Sequence, residues 1–417
     1  MASGDASIGD RWFYWTYPLA SLAAHIAFIP FFALLLPRKI ESIVAASTGT
    51  GEVSNSLPVL SWILLGGAVV ASVAHIAAGH FGDRWIERFG NRRGLIALGL
   101  GLLTLCYAWL AAASTTASMA AAVLAFQIAL NVMFAPLGAL LADYVPDESK
   151  GSIAGWINAA LPLATMFTAL LTIAYPDHSN AAFLATLAVL LLCCAPLLVL
   201  WPTTKPLLAA TREDEAEQMA ATTLRADFAI AWVSRFCIQF GAAIMLGYLF
   251  AYLALHSGQT GFPDSASEAL GQLSVVAAGA GFLAALFAGY VSDLARRRLR
   301  PIAIGGLVAA LSLAAIAWSE SWLVFAIAYG AFHLGLMAFL TVDSALVATL
   351  LRGNRKRGTF LGVMNLTNTF PAVLGPVLTL AALSELSDAG ALKAIISLAA
   401  ILALIASLLI VRVRSIR

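Results

Sequence analysis

Twelve runs of about 20 apolar residues, the length a helix needs to cross a bilayer, constrain this chain more than any other feature. They cover approximately residues 12–37, 57–82, 94–113, 118–143, 152–174, 181–201, 227–255, 270–291, 301–318, 322–350, 358–383 and 391–411. A soluble domain draws roughly a quarter of its residues from Asp, Glu, Lys and Arg. Here the share is 11%, against 61% hydrophobic residues. The runs are unbroken and lack the dyad alternation of a barrel wall, so they read as helices. The expected fold class is therefore an all-α polytopic membrane protein. The polar, acidic N-terminus has neither a basic region nor a small-residue cleavage site, so the first run is expected to remain as a span. Cys106, Cys193, Cys194 and Cys237 all fall inside apolar runs without metal-ligand spacing. They read as small buried hydrophobes, and neither metal nor cofactor is expected.

The basic residues orient the chain. Only Arg38, Lys39 and Lys393 fall in loops on one side and Arg235 falls within a span, leaving 20 of the 24 Lys and Arg on the side of the termini. The positive-inside bias places both termini in the cytoplasm. Because these charges are dispersed over short loops, they indicate no nucleic-acid partner.

The densest charge lies between spans 2 and 3, where Asp83 to Arg93 packs four arginines and two acids into eleven residues after Gly79. A looser copy, Gly289 to Arg300 with Asp293, follows 210 residues later between spans 8 and 9. In both, a small residue and an acid end one run, and a basic stretch read as a loop leads to the next. A second repeat agrees: Lys150-Gly151 and Gly155 open span 5 as Arg357-Gly358 and Gly362 open span 11. The first continues with Asn158 and Pro162, the second with Asn365, Asn368 and Pro371. Glycines four apart let helices approach closely in a membrane. Two repeats in register mean a duplicated unit, expected as residues 1–201 and 227–417. Residues 202–226 read as a solvated cytoplasmic linker.

These repeats resemble those of the major facilitator superfamily, whose members carry an acid-arginine-glycine-basic signature between helices 2 and 3 and a weaker copy between 8 and 9. The longer spacing from Asp83-Arg84 to Gly90-Asn91-Arg92-Arg93 is similar to the signature of sucrose transporters and glycoside–pentoside–hexuronide cation symporters. Asn91 departs from it, standing where a basic residue is usual. The resemblance implies two pseudo-symmetric six-helix bundles around a cavity lined by helices 1, 4, 7 and 10, working by alternating access. It also implies a multi-pass protein of a bacterial inner membrane, functional as a monomer, that moves a small-molecule substrate with a coupling proton. A sugar or glycoside is the expected substrate, and proton-coupled export of an amphipathic compound is the alternative. Asp83, Arg84, Arg88, Arg92, Arg93, Asp143 and Asp293 would form the cytoplasmic gate, or the arginines would merely set topology.

Polar groups inside spans are expensive, so each raises a functional hypothesis. The implied cavity helices carry them: His25 on helix 1, Gln127 and Asn131 on helix 4, Arg235 and Gln239 on helix 7, and His333 and Asp343 on helix 10. Spans 3, 6, 9 and 12 have no charged residue in their interiors. Arg235 and Asp343 lie at similar depth from the cytoplasmic side and can pair. Asp343 is expected to bind and release the proton, with Arg235 tuning it or holding substrate; a permanent structural ion pair is the alternative. His25 and His333 can relay a proton or bind substrate, or be satisfied by neighbouring helices. Gln127, Asn131 and Gln239 suit sugar hydroxyls, or serve as inter-helix glue. His75 and His80 on span 2 read as structural. The chain contains no zinc-type His-Glu-x-x-His, phosphate loop or Gly-x-Ser-x-Gly elbow, which argues against an enzyme and against ATP as the driving force.

Overall fold

The computed structural model describes residues 8–48, 53–145, 153, 156–157, 159–176, 180–202, 221–259, 261–295, 299–350 and 357–413. Helix α1 runs over Ile8–Pro30, passes through a π turn at Phe31–Leu35 and continues over Leu36–Thr48. Pro30 has no N–H for the carbonyl four residues back and its ring crowds that carbonyl, so the ladder loosens there without ending. There follow α2 (Val53–Phe89), α3 (Arg93–Ala112), α4 (Thr116–Tyr144), α5 (Ala160–Ala174) and α6 (Ala181–Val199). The second set is α7 (Ala221–His256), α8 (Ala266–Ala295), α9 (Leu299–Trp318), α10 (Trp322–Leu350), α11 (Arg357–Leu383) and α12 (Asp388–Ile410). Among the described residues eleven helices are long and apolar enough to cross a membrane, and α5 is a shorter apolar helix. Their outer faces carry residues such as Ile173 at 75% and Leu192 at 74% exposure. Such a surface suits hydrocarbon, and the fold is that of a multi-pass membrane protein.

Several boundaries differ from the sequence expectation: α7 begins at Ala221, inside the stretch read as a linker, α8 runs over Ala266–Ala295 where 270–291 was expected, and two others bear on the first unit. The first span continues to Thr48, and the second ends at Phe89, so Arg84 and Arg88 stand on helix and not in a loop. Charge does not stop a helix. What stops α2 is the turn at Gly90, which has φ of +71°. There the Asn91 carboxamide oxygen accepts from the Arg93 N–H at 3.0 Å and starts α3. An asparagine where the signature usually has a basic residue thus serves the turn.

The chain divides into two compact units, Met1–Thr211 and Arg212–Arg417. In the first, α1 packs on α5 and α6, α3 on α4 and α6, and α2 on α4. In the second, α7 packs on α11 and α12, α9 on α10 and α12, and α8 on α10. These contacts correspond one to one with a shift of six helices. Residue by residue the match holds at the closest helix crossings. A Cβ on Gly99 would lie 2.6 Å from the Met133 nitrogen, and one on Gly305 would lie 3.0 Å from the Phe339 nitrogen. Both partners are 206 residues apart, so α4 and α10 share a register.

Each unit also secures the few basic residues on the side away from the signature. Arg38 Nη1 donates to the Tyr175 carbonyl, and Lys39 Nζ donates to the Ala111 carbonyl and Asn180 Oδ1, each at 2.9 Å. Tyr175 and Ala111 lie at the C-terminal ends of α5 and α3, where cations complement the helix dipole. Lys393 sits 3.7 Å from the Trp318 ring centroid.

The α9–α10 crossing is tight on both sides, because a Cβ on Gly305 would also meet the Gly335 carbonyl at 2.8 Å. Gly305→Ala is expected to cost about 1–3 kcal/mol by overpacking. Gly279→Ala, with nothing within 4 Å, should cost nothing. Thermal unfolding of the two variants in detergent, side by side, checks the comparison.

Candidate functional site

In the second unit, α7 and α10 bring Arg235 and Asp343 together. Arg235 Nη1 donates to Asp343 Oδ2 at 2.9 Å, with side-chain exposures of 18% and 0%. The pair is single-pronged. Arg235 Nε and Asp343 Oδ1 are both buried without a hydrogen-bond partner among the described residues. A bidentate fork would satisfy both, so this arrangement keeps one donor and one acceptor in reserve.

Beside the pair lies a cavity of about 190 Å³, lined by Arg235, Ser344, Val347, Met364, Asn365 and Asn368. Gln239, one turn beyond Arg235 on α7, donates through Nε2 to Asn368 Oδ1 at 2.5 Å. Asn368 Nδ2 in turn donates to Asn365 Oδ1 at 2.9 Å. The amides form a directed chain from α7 onto α11. Trp232 extends this face, donating from Nε1 to the Val363 carbonyl at 2.8 Å and stacking on Phe236 with centroids 5.7 Å apart. Trp232, Arg235, Phe236 and Gln239 share one face of α7 by their spacing of three and four residues.

The sequence reading did not include α11 among the lining helices. Asn365 and Asn368 were visible in it only as part of the glycine-motif repeat. Their spacing of three residues, with Gln239 as an amide of unknown partner on another helix, was the available signal.

In the first unit, His75 on α2 donates from Nδ1 to Asn131 Oδ1 at 2.9 Å, and Asn131 Nδ2 donates to the Gln127 carbonyl at 2.9 Å. The backbone carbonyl at the end of this chain admits only a donor, so the amide is oriented, and His75 must present its N–H. Its Nε2 is left as the proton-accepting nitrogen. Gln127 and Asn131 are each 7% exposed. His25 is held likewise, donating from Nδ1 to the Ser21 carbonyl at 2.8 Å, with its ring 5.7 Å from Phe134 of α4. His333 packs against Tyr329 and Phe332, and its Nε2 is buried without a partner among the described residues. In the shared register of α4 and α10, His333 stands where Gln127 stands in the first unit. Asp343 stands opposite the 3% exposed Leu137. The fold therefore accepts a hydrocarbon at the position that holds the buried acid.

Of the expected gate residues, Arg92 at the start of α3 donates from Nε to Asp143 near the end of α4 at 2.6 Å. A Cβ on Gly82 would lie 2.9 Å from Arg92 Nη1, so the glycine gives that guanidinium its passage. Arg84, Arg88 and Arg93 are exposed, with Arg88 over the Phe89 ring at 5.6 Å. Asp83 and Asp293 lie in α2 and α8, but their side chains fall outside the described residues, as does Lys150. No group of three or more His, Cys, Asp or Glu that could hold a metal occurs among the described residues.

Two matching units of long apolar helices among the described residues, with ionisable and amide groups buried inside them, define a helical membrane transporter fold. The chain belongs to the major facilitator superfamily, whose family model matches residues 19–376. It is similar in structure to a bacterial homologue of the human lysosomal transporter Spinster. Against the inward-facing, occupied form of that protein the TM-score is 0.68 at 14% identity, covering 97% of each chain. Against an inward-facing, unoccupied form it is 0.61 at 15% identity, covering 98% of this chain and 96% of the other. These likenesses concern the fold. The comparison with curated proteins returned no match.

Removing one partner of a buried ion pair strands the other charge. Arg235→Gln alone is expected to destabilise the protein by about 3–5 kcal/mol, with Asp343→Asn added to it restoring most of the loss. Unfolding curves of the two single variants and the double variant in detergent measure that coupling.

Proposed function

We propose that this protein is a proton-coupled secondary transporter that moves a small polar solute by alternating access, with a sugar or glycoside as the favoured class. The observation that carries the reading is the Arg235–Asp343 pair, with Arg235 in the wall of a cavity that also holds Ser344, Asn365 and Asn368, and with Asp343 at a position where the register-equivalent residue is leucine. An acid that the fold does not need for packing is one that transport can use. In this reading Asp343 takes up and releases the proton. Arg235, Gln239, Asn365 and Asn368 meet the solute, and His333 stands about three turns before Asp343 on α10.

In the first unit, Gln127, Asn131 and His25 contribute hydrogen-bonding groups, and His75 joins them through Asn131. Amides both donate and accept, which matches the mixed character of hydroxyls. Arg92 and Asp143 belong to the cytoplasmic gate together with Asp83, Arg84, Arg88, Arg93 and Asp293. Arg84, Arg88 and Arg93 suit a gate because ion pairs of exposed groups contribute about 1 kcal/mol or less and can break in every cycle, whereas the buried Arg92–Asp143 pair holds α3 on α4 within one unit.

A second reading is proton-coupled export of an amphipathic compound. The stacked Trp232 and Phe236, with Phe370 at 6.4 Å from Trp232, favour it by offering an apolar face beside the amides.

Uptake of labelled mono- and disaccharides into proteoliposomes, with and without an inward proton gradient, separates the two. Proton-stimulated accumulation of a sugar or a sugar-derived solute is expected, and Asp343→Asn should abolish accumulation while leaving solute exchange without a gradient. Accumulation that persists in Asp343→Asn would remove the acid from the coupling mechanism. If no sugar moves while amphipathic compounds are expelled, the second reading takes over.

A further inference from the structure

The order in which the cavity meets the ion pair narrows the solute further. Arg235 lines the cavity, whereas Asp343 is completely buried behind it and is not among the lining residues. No carboxylate contributes to the wall: beyond Arg235 it consists of Ser344, Val347, Met364, Asn365 and Asn368. The amide chain is directed so that Asn365 accepts from Asn368, while Asn365 Nδ2 donates to no described residue. A guanidinium and a spare amide donor therefore face the space together. Ser344 has its hydroxyl proton committed to the Leu340 carbonyl at 2.8 Å, leaving its oxygen to accept from a solute hydroxyl.

Charge balance does the rest. With Asp343 ionised, the buried pair is neutral overall. Proton uptake at Asp343 leaves Arg235 as an uncompensated cation in a poorly solvated site, which is costly. A neutral solute does nothing to correct this, a cationic one makes it worse, and a solute with one negative charge restores neutrality. On the helices packed against α10, Asp227 lies about two turns before Arg235 on α7, Glu268 is near the start of α8 and Arg300 near the start of α9.

We infer that the transported solute is a hydroxylated organic monoanion, gripped by Arg235 and Asn365, whose charge replaces that of Asp343 when Asp343 takes up the proton. The inference rests on the proposal that Asp343 is the proton site. One proton and one monoanion bind together, each making the other's binding more favourable, and the loaded site carries no more charge than the empty one.

The test uses the full-length protein in proteoliposomes and labelled pairs that differ by one carboxylate: glucose with gluconate, xylose with xylonate, cellobiose with cellobionate. Each is measured under a pH gradient alone and under a valinomycin-imposed potential alone. The expected result is a preference of about tenfold or more for a carboxylated member, driven by the pH gradient and indifferent to the potential, because the cycle moves no net charge. Uptake of a neutral sugar accelerated by an inside-negative potential would overturn the monoanion inference and leave the proton-coupled sugar reading standing. Transport of no pair under either gradient would overturn the polar-solute reading itself. In the variant carrying Arg235→Gln and Asp343→Asn, which retains charge balance, the preference for the acid should fall to near unity in solute exchange. A preference that survives there would show that Arg235 is not the anion's partner.

Discussion

A peptide group placed in hydrocarbon has only its own chain to bond to, and every level of this structure follows from that constraint. It makes the spans helical, and it carries α1 through Pro30 by a π turn and not by a break. It also makes side-chain hydrogen bonds to stray carbonyls valuable. The fully buried Tyr107 donates to the Ala27 carbonyl, and Ser407 of α12 to the Ala303 carbonyl of α9. With little hydrophobic force between helices in lipid, close backbone approach does the holding. The Gly99–Met133 and Gly305–Phe339 contacts are such close approaches, and they recur in the same register in both units.

The repeat sets a background against which departures stand out. Where α4 has Leu137, α10 has Asp343; where α4 has Gln127, α10 has His333. The first difference places an ionisable group in a position that otherwise holds hydrocarbon, and the second keeps polarity in both units while changing its kind. A buried acid with one oxygen unpartnered is a poor way to stabilise a helix bundle, since an apolar pair of similar volume does at least as well. Its presence beside a cavity is better accounted for by a task in which the charge changes.

The signature region illustrates how one stretch builds local structure and carries the residues proposed for the gate. Gly90 and Asn91 make the turn, Gly82 clears space for Arg92, and Arg92 ties the start of α3 to the end of α4 through Asp143. Arg84 and Arg88, by contrast, extend outward from the last turns of α2. The four arginines are adjacent in sequence but differ in what they touch.

Composition, apolar run length and the two charged repeats determined the helical class, the approximate spans and the halving, because hydrophobic length and duplication are written directly in residue order. Sequence also marked Arg235 and Asp343 as unusual, since a charge in an apolar run needs no structure to be conspicuous. It did not reveal that Asn365 and Asn368 line the same cavity, or that His75 is bound to Asn131, because those contacts join residues on different helices, and their meeting depends on helix rotation. Nor did residue order tell that Arg235 stands between the cavity and Asp343. Depth along a helix follows from counting residues, but which group faces the space and which lies behind it is decided only when the helices pack.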